Sequence, residues 1–183
     1  MSNDSEAAQF ARTLANIGRR TLYSCEALPD DLLQWSPPFS DVGSPLAHAI
    51  DLARDIENWV LVPIGGRQPL LNQSLEIKPI RSLIALSTCY SQWIKSVHTI
   101  LDNIPDSFMN LFVESRPLQG KSRSKHRPTV HTCLLTAVEK SAYHLGRVES
   151  ACQVVSWNSM PLAKSDLVHL RGVHNTAISV PGS

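Results

Sequence analysis

Apolar side chains recur at helical spacing in four long stretches of the chain. Steps of about 100° per residue gather them into one stripe each, which predicts helices over residues 5–28, 45–62, 80–103 and 128–157. In the last stretch the predicted apolar arc is Val130, Leu134, Ala137, Ser141, Leu145, Val148, Cys152 and Val155. No alternating strand pattern competes with the helical one.

Start signals support two of these helices. Ser5 and Ser44 are predicted N-caps, and Pro45 takes the first helical position, where its missing N–H costs nothing. The connection after the first helix contains two successive prolines, which predicts an extended or turning segment rather than a helix. A long loop follows the second helix, and a short amphipathic piece follows the third.

Helices of this length with one apolar stripe must bury those stripes against one another. The pattern therefore predicts an all-α fold, an antiparallel four-helix bundle with long loops and an irregular C-terminal tail. Residues 1–157 form the predicted bundle, and residues 158–183 form a partly ordered extension. The long connections after the second and third helices leave room for a path other than up-down-up-down.

Composition narrows the class of protein. Apolar residues make up 43% of the chain, charged residues 18%, and the net charge is +1, which favours neither a polyanion nor a membrane surface as partner. No apolar run reaches the roughly 18 residues of a membrane span, and the polar N-terminus is not a secretory signal. The four cysteines lack metal-ligand spacing, so we expect small core residues in a reducing cytoplasm; they are Cys25, Cys89, Cys133 and Cys152.

One segment, Glu114 to Pro128, is strongly basic. Its five positive side chains are Arg116, Lys121, Arg123, Lys125 and Arg127. Because it has no aromatic residue for stacking and the whole chain is nearly neutral, a mobile solvated loop is favoured over a nucleic-acid contact.

The candidate chemistry lies in histidines. His144 sits at the edge of the arc of the last helix, with Lys140 and Arg147 on the same flank, which would let the core hold the ring while it points into a cleft. His98, on the third helix, is either a replacement ligand or, as we favour, a polar flank residue. The remaining histidines are predicted at surface or loop positions: His126, His131, His169 and His174.

Two segments resemble a known family. The second helix opens with SPLAHAIDLARDIENWVL and the last contains VEKSAYHLGRVES, which together resemble the DinB/YfiT superfamily of four-helix bundles over residues 5–157. His48 with Trp59 eleven residues later, and His144 followed by Leu-Gly, match the family pattern. The resemblance implies a divalent metal, nickel or zinc, with His48 and His144 as ligands and with Trp59 and Lys140 at the pocket. Asp55 shares an edge of the second helix with His48, so we expect it to line the pocket as well. The resemblance also implies a homodimer.

The chain departs from that family at Lys140, where relatives carry His or Glu four residues before the second histidine. An ammonium group has no free lone pair and repels a cation. Two functions follow. One is a metal-dependent hydrolase or thiol transferase with a degenerate metal site, acting on a small molecule in the inter-helix cleft. The other is a non-catalytic binding or association module with a vestigial cleft. Lys140 itself either holds an anion or is solvated or paired with Asp55 or Glu139.

Overall fold

A computed structural model describes residues 5–36, 43–66, 80–113 and 127–159. These residues form five α-helices: α1 (Glu6–Glu26), α2 (Asp30–Gln34), α3 (Pro45–Ile56), α4 (Leu83–Leu101) and α5 (Val130–Ser159). A π-helical turn, Glu57–Leu61, continues α3, and a 3-10 turn, Asp106–Phe108, follows α4. The described ranges contain no β-strand, so the predicted all-α class is confirmed. Four predictions lie outside these ranges: residues 67–79 of the long loop after the second helix, residues 114–126 of the basic segment, the C-terminal extension from residue 160, and the surface or loop positions of His126, His169 and His174.

Both predicted N-caps are confirmed. The Ser5 side chain accepts a hydrogen bond from the backbone N–H of Ala8, and the Ser44 side chain accepts one from that of Ala47. Pro45 occupies the first turn of α3 as expected. The start of α3 is therefore fixed by its own sequence, which in turn fixes where the side chains of its first two turns point.

The short helix α2 corrects one prediction. Residues 30–34 are helical, whereas the prolines of this connection predicted an extended or turning segment. Pro29 occupies the N-cap and the paired prolines follow the helix in sequence, so none interrupts its hydrogen bonds. Asp30 and Asp31 place negative charge in its first turn, where the helix dipole favours it.

Helix α1 packs against both α4 and α5. Near its start, Oε1 of Glu6 lies 3.2 Å from Nε2 of His131. Further along, Nε of Arg20 lies 2.6 Å from Oε1 of Glu149. The later residue of α1 therefore contacts the later residue of α5, which means that the two helices run in the same direction.

Contacts with α4 have the opposite order. The backbone N–H of Glu6 donates to Oδ1 of Asp106, just beyond the end of α4, at 2.8 Å. Gly18 lies against the middle of α4, where an added Cβ would come within 2.6 Å of the Trp93 ring. Helix α4 therefore runs opposite to α1, and the lack of a side chain at Gly18 permits the close approach.

The core follows the predicted stripes. All eight residues of the predicted α5 arc are buried, from Val130 to Val155. Three of the cysteines are buried and Cys89 is half-buried, all four as free thiols, which agrees with their prediction as core residues. Among the described ranges, no helix is long and apolar enough to cross a membrane.

Helix α3 packs along α5, and this contact positions the candidate site. Behind α3, the hydroxyl of the fully buried Tyr90 on α4 donates to the backbone oxygen of Ala49 at 2.8 Å. This hydrogen bond holds the α3 backbone at the residue that follows His48.

Candidate metal centre

Two residues of the site come from the beginning of α3. His48 lies in its first turn, set by the Ser44 cap and Pro45, and Asp51 lies three residues later. Residues three apart occupy neighbouring positions on one face of a helix. The fold of α3 alone therefore brings an imidazole and a carboxylate together.

The third residue, His144, comes from the middle of α5. Its ring centroid lies 6.3 Å from that of His48, with 35° between the ring planes. His48, Asp51 and His144 each offer one possible ligand atom, and these three atoms lie within 4.8 Å of one another. All three residues are half-buried. The packing of α3 along α5 thus converges two nitrogens and one oxygen from distant parts of the sequence.

Two nitrogens of this cluster lack partners among the described residues. Nε2 of His48 and Nδ1 of His144 are shielded from solvent and make no hydrogen bond there. Shielded polar atoms in proteins nearly always have a partner, and a histidine nitrogen without one has a lone pair or a proton that nothing satisfies. These two atoms are the ones that a bound ligand would satisfy.

Gly43 keeps the space beside one of these nitrogens open. A Cβ added at Gly43 would stand 3.1 Å from Nε2 of His48 and 3.3 Å from its Cε1. Contacts of that length force the ring or the backbone to shift. The residue before the Ser44 cap is therefore small where the imidazole nitrogen needs room.

Two further contacts fix the outer side of the cluster. Oδ2 of Asp55 lies 3.2 Å from Nε2 of His144, and the two side chains are only 18% and 15% exposed. Oδ1 of Asp51 accepts a hydrogen bond from Nη1 of Arg54. Such outer contacts orient the side chains that face the centre of a site.

The electrostatics favour a neutral imidazole at His48. Burial lowers the pKa of His48, and the charges of Arg147 and His144 lower this pKa further, while Asp51 acts in the opposite direction. A metal ion binds the neutral ring, so a lowered pKa reduces the competition from protons.

The donor set fits a divalent transition-metal ion. Two histidines and one carboxylate are a ligand set of catalytic zinc sites, which keep one further position open. Ligands of a tetrahedral ion with bonds of about 2.0–2.1 Å lie about 3.3 Å apart, so small side-chain rotations would bring the three atoms to that spacing. Nickel also accepts imidazole and carboxylate ligands.

The other predicted pocket residues have different surroundings. Asp55 lies against His144. Trp59 is half-buried and packs against the hydrophobic core. Lys140 is exposed on α5, one turn before His144. His98 lies on α4, with Nδ1 3.2 Å from Oδ2 of Asp102, in agreement with its prediction as a polar flank residue.

Sequence reasoning missed Asp51. The signal was present, because Asp51 follows His48 by three residues and shares its side of α3. The resemblance directed the search for a third ligand to α5, at position 140, rather than to the helix that carries the first histidine.

Comparison of the chain with models of protein families, with curated proteins and with solved structures found no match. A function for this chain is therefore inferred from the geometry of the site and from the resemblance of the two sequence segments.

Proposed function

We propose that this protein is a metal-dependent enzyme of the DinB/YfiT type, in which α1, α3, α4 and α5 form the four-helix bundle. His48, Asp51 and His144 would hold one divalent ion, zinc or nickel, between α3 and α5. The activity would belong to the hydrolase or thiol transferase class, with a small molecule bound in the cleft beside the ion.

One observation carries the proposal. Donor atoms of three residues converge within 4.8 Å, and two of the histidine nitrogens there are shielded and have no partner among the described residues. Isolated pairs of surface histidines do not have this property, because water satisfies them. Convergence together with unmet hydrogen-bonding capacity is what a metal ligand set has before it binds its ion.

The residues of the chain would have separate roles. The two histidines supply neutral nitrogens, and Asp51 supplies a negative charge that offsets part of the charge of the ion. Gly43 leaves room at the His48 nitrogen. A divalent ion with three protein ligands lowers the pKa of a water or a thiol at its open position, which is the chemistry that both enzyme classes need.

In a degenerate site Lys140 would replace a missing metal ligand. In this proposal the metal site is complete without it. The sequence pattern places it where relatives carry a ligand, but it is exposed, and Asp51 offers the third donor from α3. Its ammonium group would then lie at the edge of the cleft, where a positive charge can attract an anionic group of a small molecule. The substitution Lys140→His distinguishes the two kinds of site. It would raise the metal content per chain of a degenerate site and leave that of a complete site unchanged.

Elemental analysis of protein purified without a nickel column tests the proposal. We expect close to one zinc or nickel ion per chain, loss of that ion in His48→Ala and in His144→Ala, and unchanged content in Lys140→His. His98→Ala is the matched control, since it removes a half-buried histidine from α4, which contributes nothing to the cluster. Wild-type protein that takes up no ion after incubation with zinc or nickel would contradict the proposal and favour the non-catalytic binding module.

The same resemblance leads us to propose a homodimer, which sedimentation of the purified protein would test. A cytoplasmic location is also a proposal, with support from the four free cysteines.

A further inference from the structure

A carboxylate outside the ligand set contacts one of the two histidines. Oδ2 of Asp55 lies 3.2 Å from Nε2 of His144, and both side chains are more than four-fifths shielded from solvent. Asp55 lies on α3, seven residues after His48, so two turns of the same helix face the α5 histidine. The contact is long-range in sequence and depends on the packing of α3 along α5.

The hydrogen-bonding chemistry of this contact is restricted. A carboxylate has no proton to donate, so a hydrogen bond across this 3.2 Å contact needs the proton on Nε2 of the ring. A neutral imidazole has only one N–H, and its other nitrogen then carries the lone pair. In His144 that other nitrogen is Nδ1, the atom that is shielded and has no hydrogen-bond partner among the described residues.

We infer that Asp55 is a positioning residue that sets the tautomer of His144, so that the shielded Nδ1 carries the lone pair with which His144 would bind the ion. The same contact holds the ring in its orientation on α5 and increases its basicity as a ligand. Asp55 would not touch the ion; it would act through His144. The part of this inference that concerns metal affinity rests on the proposed function, whereas the tautomer does not.

The structure offers a matched comparison elsewhere. Nδ1 of His98 and Oδ2 of Asp102 are also 3.2 Å apart, but His98 lies in the last turn of α4 and Asp102 is its C-cap. The setting is more exposed, with 32% and 49% of the side chains accessible. Removing Asp102 therefore deletes a histidine–carboxylate contact of equal length that has no connection with the cluster.

Nitrogen NMR of the metal-free protein tests the tautomer directly. At a pH well above the ordinary imidazole pKa of about 6.5, the ¹⁵N shifts of His144, assigned with His144→Gln, should show Nε2 protonated and Nδ1 bare. In Asp55→Ala this preference should disappear, while Asp102→Ala should leave it unchanged. A wild-type ring with its proton on Nδ1, or an unchanged tautomer in Asp55→Ala, would overturn the inference.

Competition with a chelating dye tests the consequence for zinc. We expect Asp55→Ala to bind zinc about 10- to 100-fold more weakly than wild type, and Asp102→Ala to bind it equally well. Asp55→Asn keeps the side-chain volume and an acceptor oxygen, so it should fall between these two and show that the loss does not come from misfolding. Equal affinity of all variants would overturn the positioning role. A wild-type protein that binds no zinc but keeps the Nε2–H tautomer would contradict the proposed function and leave the role of Asp55 in setting the tautomer intact.

Discussion

The substitution Asp51→Asn should separate metal binding from the stability of the fold. In the absence of metal its cost is small, because the ion pair between Asp51 and Arg54 is 43% exposed on both sides and lies within one helix. Exposed pairs three residues apart contribute about 0.2–0.5 kcal/mol. The amide has nearly the same volume, so the packing of α3 against α5 should not change.

The effect on metal-linked stability should be much larger. Zinc at about 100 times its dissociation constant adds about 2.7 kcal/mol to the free energy of unfolding. For a chain of 183 residues, at about 2–4 °C per kcal/mol, the wild-type Tm should then rise by roughly 5–11 °C. If loss of the carboxylate weakens binding about 100-fold, the same zinc concentration adds only about 0.4 kcal/mol, or roughly 1–2 °C.

Thermal unfolding followed by circular dichroism, with zinc and then with EDTA, measures both quantities. Asp102→Asn is the control, since it removes an exposed carboxylate from a histidine contact at the end of α4 and should keep the full zinc-dependent rise. A full rise in Asp51→Asn would show that the carboxylate is not a ligand. A large loss of stability in EDTA would show that Asp51 has a structural role that the exposed ion pair does not explain.

Three other predictions test separate parts of the account. Gly43→Ala should weaken zinc binding by no more than about 12-fold in a dye competition. A Cβ 3.1 Å from Nε2 of His48 makes the ring or the backbone shift by a small distance, which costs at most the roughly 1.5 kcal/mol of an off-rotamer side chain; unchanged affinity would mean that the space is not used. Tyr90→Phe should lower the free energy of urea unfolding by about 0.5–1.5 kcal/mol, since the hydroxyl donates to Ala49 inside the core, and equal midpoints would refute that value. Burial, with a smaller contribution from a nearby carboxylate, raises the pKa of Cys89 to about 11, so its alkylation by iodoacetamide should be slow at pH 8 and accelerate as the pH approaches 11; rapid labelling at pH 8 would show a thiol activated for chemistry.

Much of the fold could be predicted from the sequence, because apolar residues on the buried face of a helix recur at a fixed spacing. The eight predicted positions of the last helix are all buried, and the Ser44 cap with Pro45 fixed the start of α3. Helix α2 was missed because the prolines around it suggested a break, although none stands inside it. The π-helical turn Glu57–Leu61 was not predicted, because such turns are rare and the apolar stripe of the second helix continues through it.

The site was harder to predict than the fold. Periodicity tells which face of a helix is buried but not which residues of two helices meet, so the pairing of His48 with His144 needed the family resemblance. Asp51 could have been found from its spacing to His48. The contact between Asp55 and His144 could not be predicted from spacing, because it depends on how far α5 is shifted along α3.

Anomalous diffraction from crystals of the metal-loaded protein, recorded at the zinc or nickel absorption edge, tests the central claim most directly. The account predicts one strong peak per chain, within bonding distance of His48, Asp51 and His144. A peak elsewhere, or a crystal soaked in the metal with no peak between α3 and α5, would contradict it.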